Sequence, residues 1–202
     1  MLFILTGDIQ IGKTRWLQGV CDQLVDGGVP VAGVLAPGVW RANPMWPNGF
    51  EKLGIDNVLL PGGERIEFAR RRDLADSAVR SRLDDGMPAE MKLAWQFSDE
   101  AVDRVNAHFD KLASQQDDSG KKGLLVVDEL GRLELERGVG LTSAMSLFAQ
   151  GPRPGWPHAL IVVREWLVPR AHAMFDAPWS GAVREISPTP AEKAGLLAEF
   201  GL

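Results

Sequence analysis

Gly7-Asp8-Ile9-Gln10-Ile11-Gly12-Lys13-Thr14 decides how the rest of the chain is read. Its spacing fits the phosphate-loop pattern G-x-x-x-x-G-K-S/T. The apolar residues 1–5 ahead of it predict a buried strand, and the residues from Lys13 onward an amphipathic helix. In a strand–loop–helix unit such a loop wraps a phosphate with backbone N–H groups. The helix N-terminus adds partial positive charge at the same spot. Gly7, Asp8, Ile9, Gln10, Ile11, Gly12, Lys13, Thr14 and the following Arg15 are therefore the candidate nucleotide-binding residues. Lys13 is expected to reach the β- and γ-phosphates, and the Thr14 hydroxyl to hold Mg²⁺. The competing reading is a plain glycine-rich turn between a strand and a helix.

A second segment completes such a site. Residues 123–127 form an apolar strand that ends in Asp128-Glu129-Leu130-Gly131. Asp128, at the carboxyl end of that strand, is expected beside Thr14 as the second Mg²⁺ ligand. Glu129 is then placed to orient or deprotonate the attacking water, against the plainer reading of a surface carboxylate. A further apolar strand, 159–163, ends at Arg164-Glu165. If the strands are parallel, Arg164 leaves on the same edge as Asp128. There it either neutralises charge developing on the γ-phosphate or forms a structural ion pair.

Between these segments the periodicities place the remaining elements. Leu17, Val20, Cys21 and Leu24 mark the core face of the first helix, stopped by Gly27 and Gly28. Cys21 on that stripe reads as a packed thiol. Residues 29–35 predict a second strand, and 36–48, with several Pro and Gly, a loop carrying Trp40, Arg41 and Trp46. Residues 50–70 alternate around the turn Pro61-Gly62-Gly63-Glu64 and predict a β-hairpin laid on the main sheet, an insertion at about 36–72. Arg70, Arg71 and Arg72 after it read either as phosphate contacts or as a charged hairpin edge. A short polar helix is expected over 73–83, and a strand around Trp95 and Phe97. Ser98 predicts an N-cap for a helix whose apolar face is Val102, Val105, Phe109 and Leu112. Residues 115–122 read as a surface loop, 139–149 as a helix, 151–157 as a loop and 183–186 as a last strand. A C-terminal helix capped by Ser187 or Thr189 follows, with Pro190 at its start. Strands alternating with helices predict a mostly parallel sheet covered on both faces, with ligands at the carboxyl ends of the strands.

Composition bounds the rest. At 202 residues the chain is expected to form a single domain over 1–202. Its net charge of -5 argues against non-specific nucleic-acid binding, which needs a basic face. One cysteine excludes an internal disulfide framework and, with no apolar stretch long enough to span a bilayer, points to a cytoplasmic protein with no membrane partner. The three histidines have no metal-ligand spacing among themselves or with Cys21, so no zinc site is expected.

Several of these motifs together resemble the small THEP-type nucleoside triphosphatases. The shared features are the loop at residues 7–14, the strand Val31-Ala32-Gly33-Val34, and the hairpin landmarks Gly49-Phe50, Gly62-Gly63-Glu64-Arg65 and Ala69-Arg70. The most specific is Val126-Val127-Asp128-Glu129-Leu130-Gly131-Arg132-Leu133-Glu134-Leu135, similar to that family's Asp-Glu-Ile-Gly-Lys-Met-Glu-Leu segment. The likeness covers residues 1 to roughly 165. It implies a three-layer, RecA-like phosphate-loop fold and Mg²⁺-dependent hydrolysis of ATP, GTP or other nucleoside triphosphates. It also implies nucleotide contact from residues 124–131, Gly131 included. Asp8 and Ile9 stand where the family usually has two prolines, Gln10 where it has a glycine, and Arg15 where it has a small hydroxyl residue. If that glycine position needs φ > 0, Gln10 costs of order 1 kcal/mol.

Three other activities share parts of the pattern. A small GTPase is matched by Gly7-Asp8 and by Asp128-x-x-Gly131, but no Asn-Lys-x-Asp or Thr-Lys-x-Asp segment reads guanine. No threonine occurs between Thr14 and Thr142 to sense Mg²⁺. A nucleotide-dependent small-metabolite kinase would use the same residues with Arg70, Arg71 and Arg72 at an acceptor site. A non-catalytic nucleotide sensor with a protein partner would use the exposed-looking Trp40, Trp46 and Trp156.

Overall fold

Four short runs, at 2–5, 31–35, 124–127 and 159–163, are apolar on both of their faces, so strands made from them must be covered on both sides. The computed structural model describes residues 1–46, 49–75, 81–86, 94–115 and 120–202. In chain order its strands and helices are β1 (Leu2–Leu5), α1 (Lys13–Asp26), β2 (Val31–Leu35), β3 (Gly38–Ala42), β4 (Phe50–Leu60), β5 (Glu64–Arg71), β6 (Trp95–Phe97) and α2 (Asp99–Ser114). They continue with β7 (Leu124–Leu130), α3 (Arg132–Arg137), α4 (Thr142–Phe148), β8 (His158–Val163), α5 (Val168–Phe175), β9 (Val183–Ile186) and α6 (Pro190–Ala198).

The nine strands of the described residues join one mixed sheet, in the order β6-β5-β4-β2-β7-β8-β1-β9, with β3 off this path and paired with β4. From β2 to β9 every pairing is parallel, which sets the carboxyl ends of β1, β7 and β8 side by side. β8 lies between β1 and β7. On one face α1 and α6 cover Phe3, Leu5, Val126, Leu160 and Ile186. On the other, α2, α3, α4 and α5 pack on Leu2, Ile4, Val127, Ile161 and Val163. At about 25 cal/mol per Å² of apolar surface removed from water, the two layers dominate the favourable side of folding. The β2–β7 approach needs Gly33: a Cβ there would lie 2.0 Å from the Val126 carbonyl oxygen.

The hairpin over β4 and β5 is present, but it does not lie on the sheet. β4 pairs edge to edge with β2 through Gly33↔Leu60 and Leu35↔Val58 and so extends the sheet antiparallel. Residues 36–48, expected as a loop, contain β3, paired along β4 from Gly38↔Ile55 to Ala42↔Phe50. The glycine and proline there bound a strand rather than exclude one. Buried Glu51 ties the extension together: it accepts from Arg41 (2.7 Å) and Asn43 (3.1 Å) and pairs with Arg71. Arg41 first, then Arg71 and Asn43, hold its carboxyl down to about 2. The polar helix expected over 73–83 is replaced, within the described residues, by 3-10 turns at Arg72–Leu74 and Arg82–Gly86. Residues 76–80 of that expectation lie outside the described residues, as do 87–93 ahead of β6 and 116–119 of the expected surface loop.

The helices begin where their caps predict. Ser98 Oγ accepts from Ala101 N–H at 3.1 Å at the start of α2, and Thr189 Oγ1 from Glu192 N–H at 3.2 Å at the start of α6. The helix expected over 139–149 is shorter, starting at Thr142, and α3 precedes it. Gly138 at φ 64° and Gly140 at φ 81° separate the two helices. Cys21 is a core thiol, pushed up to about 12 by burial. No helix of the described residues is long and apolar enough to cross a membrane.

Candidate functional site

The loop between β1 and α1 is shaped by backbone conformations that L-residues avoid. Gly7 has φ 125° and Gly12 φ 94°, and Gln10, between them, is held at φ 63°. The tip is exposed: Asp8, Ile9, Gln10 and Ile11 all face solvent, as does Arg15 in the first turn of α1. α1 starts at Lys13, with Gly12 as its N-cap, no side-chain cap and no acidic residue in its first turn. No side chain caps its N-terminus, whereas Ser98 and Thr189 cap those of α2 and α6. Lys13 Nζ donates back across the loop to the carbonyls of Gly7 (2.8 Å) and Asp8 (2.6 Å). Partial burial lowers its pKa, and the charges of Glu129, Asp8 and Asp128 oppose that shift.

β7 brings the acidic segment to the same place. The strand does not stop at Val127. Val127 pairs with Ile161 and Leu130 with Val163, so Asp128 and Glu129 together oppose one residue of β8, which is a β-bulge. Glu129 takes up the extra length at φ 82°. The bulge turns consecutive carboxylates apart. Asp128 is 3% exposed, and Glu129 stands out at the surface. Thr14 Oγ1 donates to Asp128 Oδ1 at 3.2 Å, and Ala36 N–H donates to Oδ2 at 3.0 Å. Burial raises the Asp128 carboxyl to about 6, against the pull of those two donors. A divalent cation would offset that penalty. Thr14 and Asp128 offer it two hard oxygens, and no cluster of three or more His, Cys, Asp or Glu able to hold a metal occurs among the described residues. Such a donor set suits Mg²⁺, which keeps several waters and phosphate oxygens, better than an ion that needs an all-protein cage.

Arg164 follows the last residue of β8. Its Nε and Nη2 donate to Glu129 Oε1 at 3.2 and 2.8 Å, so the ion-pair alternative for this arginine is the arrangement present. Gly131 is the N-cap of α3, and its N–H is taken by Glu134 Oε2 at 2.9 Å. That carboxylate also accepts from Leu141 N–H at 3.2 Å, so Glu134 organises the turn after the site.

The structure thus brings together Lys13, Thr14, Asp128, Glu129 and Arg164. It leaves the three hairpin arginines out: Arg70 pairs with Glu67, Arg71 with Glu51 and Asp73, and Arg72 with Asp84. Trp40 and Trp46 are exposed, while Trp156 is half-buried, packed against Gly123 and the core.

One residue near the site, on the strand extension that begins after Ala36, carries no sequence signal. Lys52 of β4 has its ammonium 5.9 Å from the Trp40 ring centroid and 5.4 Å from that of Trp95. Burial lowers its pKa, and the charges of Glu129 and Asp128 raise it again. Only its cross-strand pairing with Trp40 could have marked it, and that needed β3. No family model, curated protein or solved structure matches the chain.

Proposed function

We propose that the chain is a Mg²⁺-dependent nucleoside triphosphatase, converting ATP, GTP or another nucleoside triphosphate to the diphosphate and phosphate. The observation that carries the reading is the 3.2 Å contact of Thr14 with Asp128, two residues from motifs 114 positions apart. A chance glycine-rich turn has no reason to meet a buried carboxylate there. The parallel run β9-β1-β8-β7-β2, covered by helices on both faces, supports the three-layer phosphate-loop fold that the motifs imply.

In this reading the loop N–H groups and the α1 N-terminus bind the phosphates, and Lys13 exchanges its two carbonyl partners for phosphate oxygens. Thr14 and Asp128 would hold Mg²⁺, which when bound would supply positive charge against the negative charge of the transferring group. Glu129 accepts a proton from water as the water oxygen bonds to the γ-phosphorus. The bond from that phosphorus to the β-bridging oxygen breaks, and the diphosphate leaves. Arg164, drawn toward the γ-phosphate, releases Glu129 for this role. Arg70, Arg71 and Arg72 are each engaged by a carboxylate of the hairpin or of the turns that follow it, and none of these pairs involves Thr14, Asp128 or Glu129.

The test is phosphate release with several nucleoside triphosphates and Mg²⁺. Glu129→Gln is expected to slow turnover by about 10²-fold or more, in line with loss of a general base, while nucleotide still binds. Lys13→Ala is expected to abolish binding in a titration. Undiminished turnover in the first variant removes Glu129 as the base, and undiminished affinity in the second removes the loop as the site.

A further inference from the structure

We propose that Lys52 is a second phosphate-contacting lysine, one that distinguishes the terminal phosphate of a nucleoside triphosphate from the end of a diphosphate. The proposal rests on the triphosphatase reading above and assigns the residue that reads the third phosphate.

β4 is longer than the strand it pairs with. Its ladder with β2 begins at Leu35↔Val58, so the earlier part of β4 runs on past the carboxyl end of β2. That end is where Asp128 is held by Ala36 N–H. From Ala36 the chain takes two steps to reach Lys52. Pro37 O accepts from Asp56 N–H at 3.0 Å. Gly38 then lies so close to the lysine stem that a Cβ there would be 3.1 Å from Lys52 Cε. The strand extension thus forms a wall beside the site, with Lys52 on it.

The surroundings of the ammonium are unlike those of the other cations on the wall. Arg41, Arg65, Arg70 and Arg71 each meet a carboxylate. Lys52 makes no such pair among the described residues. It is held over the Trp40 and Trp95 rings, which attract a cation without neutralising it. Its position is set by packing and by the Trp40↔Lys52 register, while its charge stays available. The carboxylate that acts on it most strongly is Glu129, the residue assigned to the water that attacks the γ-phosphate. Lys13 approaches the β- and γ-phosphates from the loop side, whereas Lys52 approaches from the β4 wall. A cation fixed on the wall that begins at Ala36, the residue that holds Asp128, suits the terminal phosphate, which the diphosphate lacks.

Tryptophan emission and calorimetry test this on the full chain, with Mg²⁺ and either a non-hydrolysable nucleoside triphosphate analogue or the diphosphate. Lys52→Met is expected to weaken the analogue by about 10-fold or more, the loss of one charged hydrogen bond, and the diphosphate by less than about 2-fold. Lys52→Arg is expected to recover most of the discrimination. The ratio of the two dissociation constants is also read on Lys52→Gln, so that a folding defect in one variant does not decide the outcome. Equal weakening of both ligands means a structural role and overturns the proposal, as does an unchanged affinity for the analogue. Wild-type protein that binds neither ligand sinks the triphosphatase reading and this proposal together. Tight wild-type binding that survives Lys52→Met sinks this proposal alone.

Discussion

Gln10 occupies a left-handed conformation, φ 63°, in a loop otherwise turned by glycines. A side chain with a Cβ costs roughly 1–3 kcal/mol there. Replacing it by glycine removes that strain but returns about 0.5–1 kcal/mol through the freer unfolded chain. Gln10→Gly is therefore expected to raise stability by about 1 kcal/mol, read as a higher urea midpoint at unchanged slope. A lower midpoint would mean that exposed Gln10 makes favourable contacts that outweigh its backbone. Glu129, at φ 82°, is the second strained residue of the site. Sequence placed Gln10 on a position where positive φ was foreseeable, because the surrounding motif sets the loop's geometry. It gave no hint of strain at Glu129, since a strand ending in Asp-Glu reads the same with or without a bulge. Lys52 was invisible for a related reason: a lone lysine in a hairpin means nothing until its neighbours across the strands are known.

The strands and helices were largely legible, because long apolar runs and capping residues act locally. β1, α1, α2, β8, β9 and α6 lie close to where periodicity put them. The errors fall where a partner strand or a glycine decided the matter. β3 exists because β4 offers it a ladder, and α3 and α4 are separate because Gly138 and Gly140 turn the chain between them. The β2–β7 pairing carries its own prediction. Gly33 has φ 123°, and the Val126 carbonyl lies 2.0 Å from the place a Cβ would take. Gly33→Ala must open the ladder that carries Asp128, at a cost of about 3 kcal/mol. Thermal unfolding checks it. A melting temperature unchanged from wild type would show that the two strands can separate without loss.

At the scale of the whole molecule, pH tests the contact of α5 with the last strand, β9. His172 of α5 meets Asp176 at 2.8 Å and Glu185 of β9 at 3.1 Å. The Asp176 hydrogen bond, with help from Glu185, raises its pKa above the ordinary 6.5. A histidine with a raised folded-state pKa stabilises fully below its unfolded value, and the benefit fades as pH rises through the folded value. His172→Gln is therefore expected to lower stability at about pH 5 and to match wild type more closely near about pH 9. Subtracting variant from wild type cancels the opposite, burial-driven shifts of His108 and His158. A gap that widens with pH would reverse the assignment.

The sequence by itself determined the alternation of buried strands with amphipathic helices, the loop at residues 7–14 and the acidic strand end. Hydrophobic period, capping chemistry and glycine placement are properties of neighbouring residues, and each acts within one or two turns of chain. Tertiary structure alone decided that β8 separates β1 from β7 and that a bulge turns Asp128 toward Thr14 and Glu129 toward Arg164. It also decided that the hairpin arginines pair with nearby carboxylates while Lys52 lies over the Trp40 and Trp95 rings. Those outcomes depend on strand order and register, and a register is set only when two distant segments compete for one ladder of hydrogen bonds.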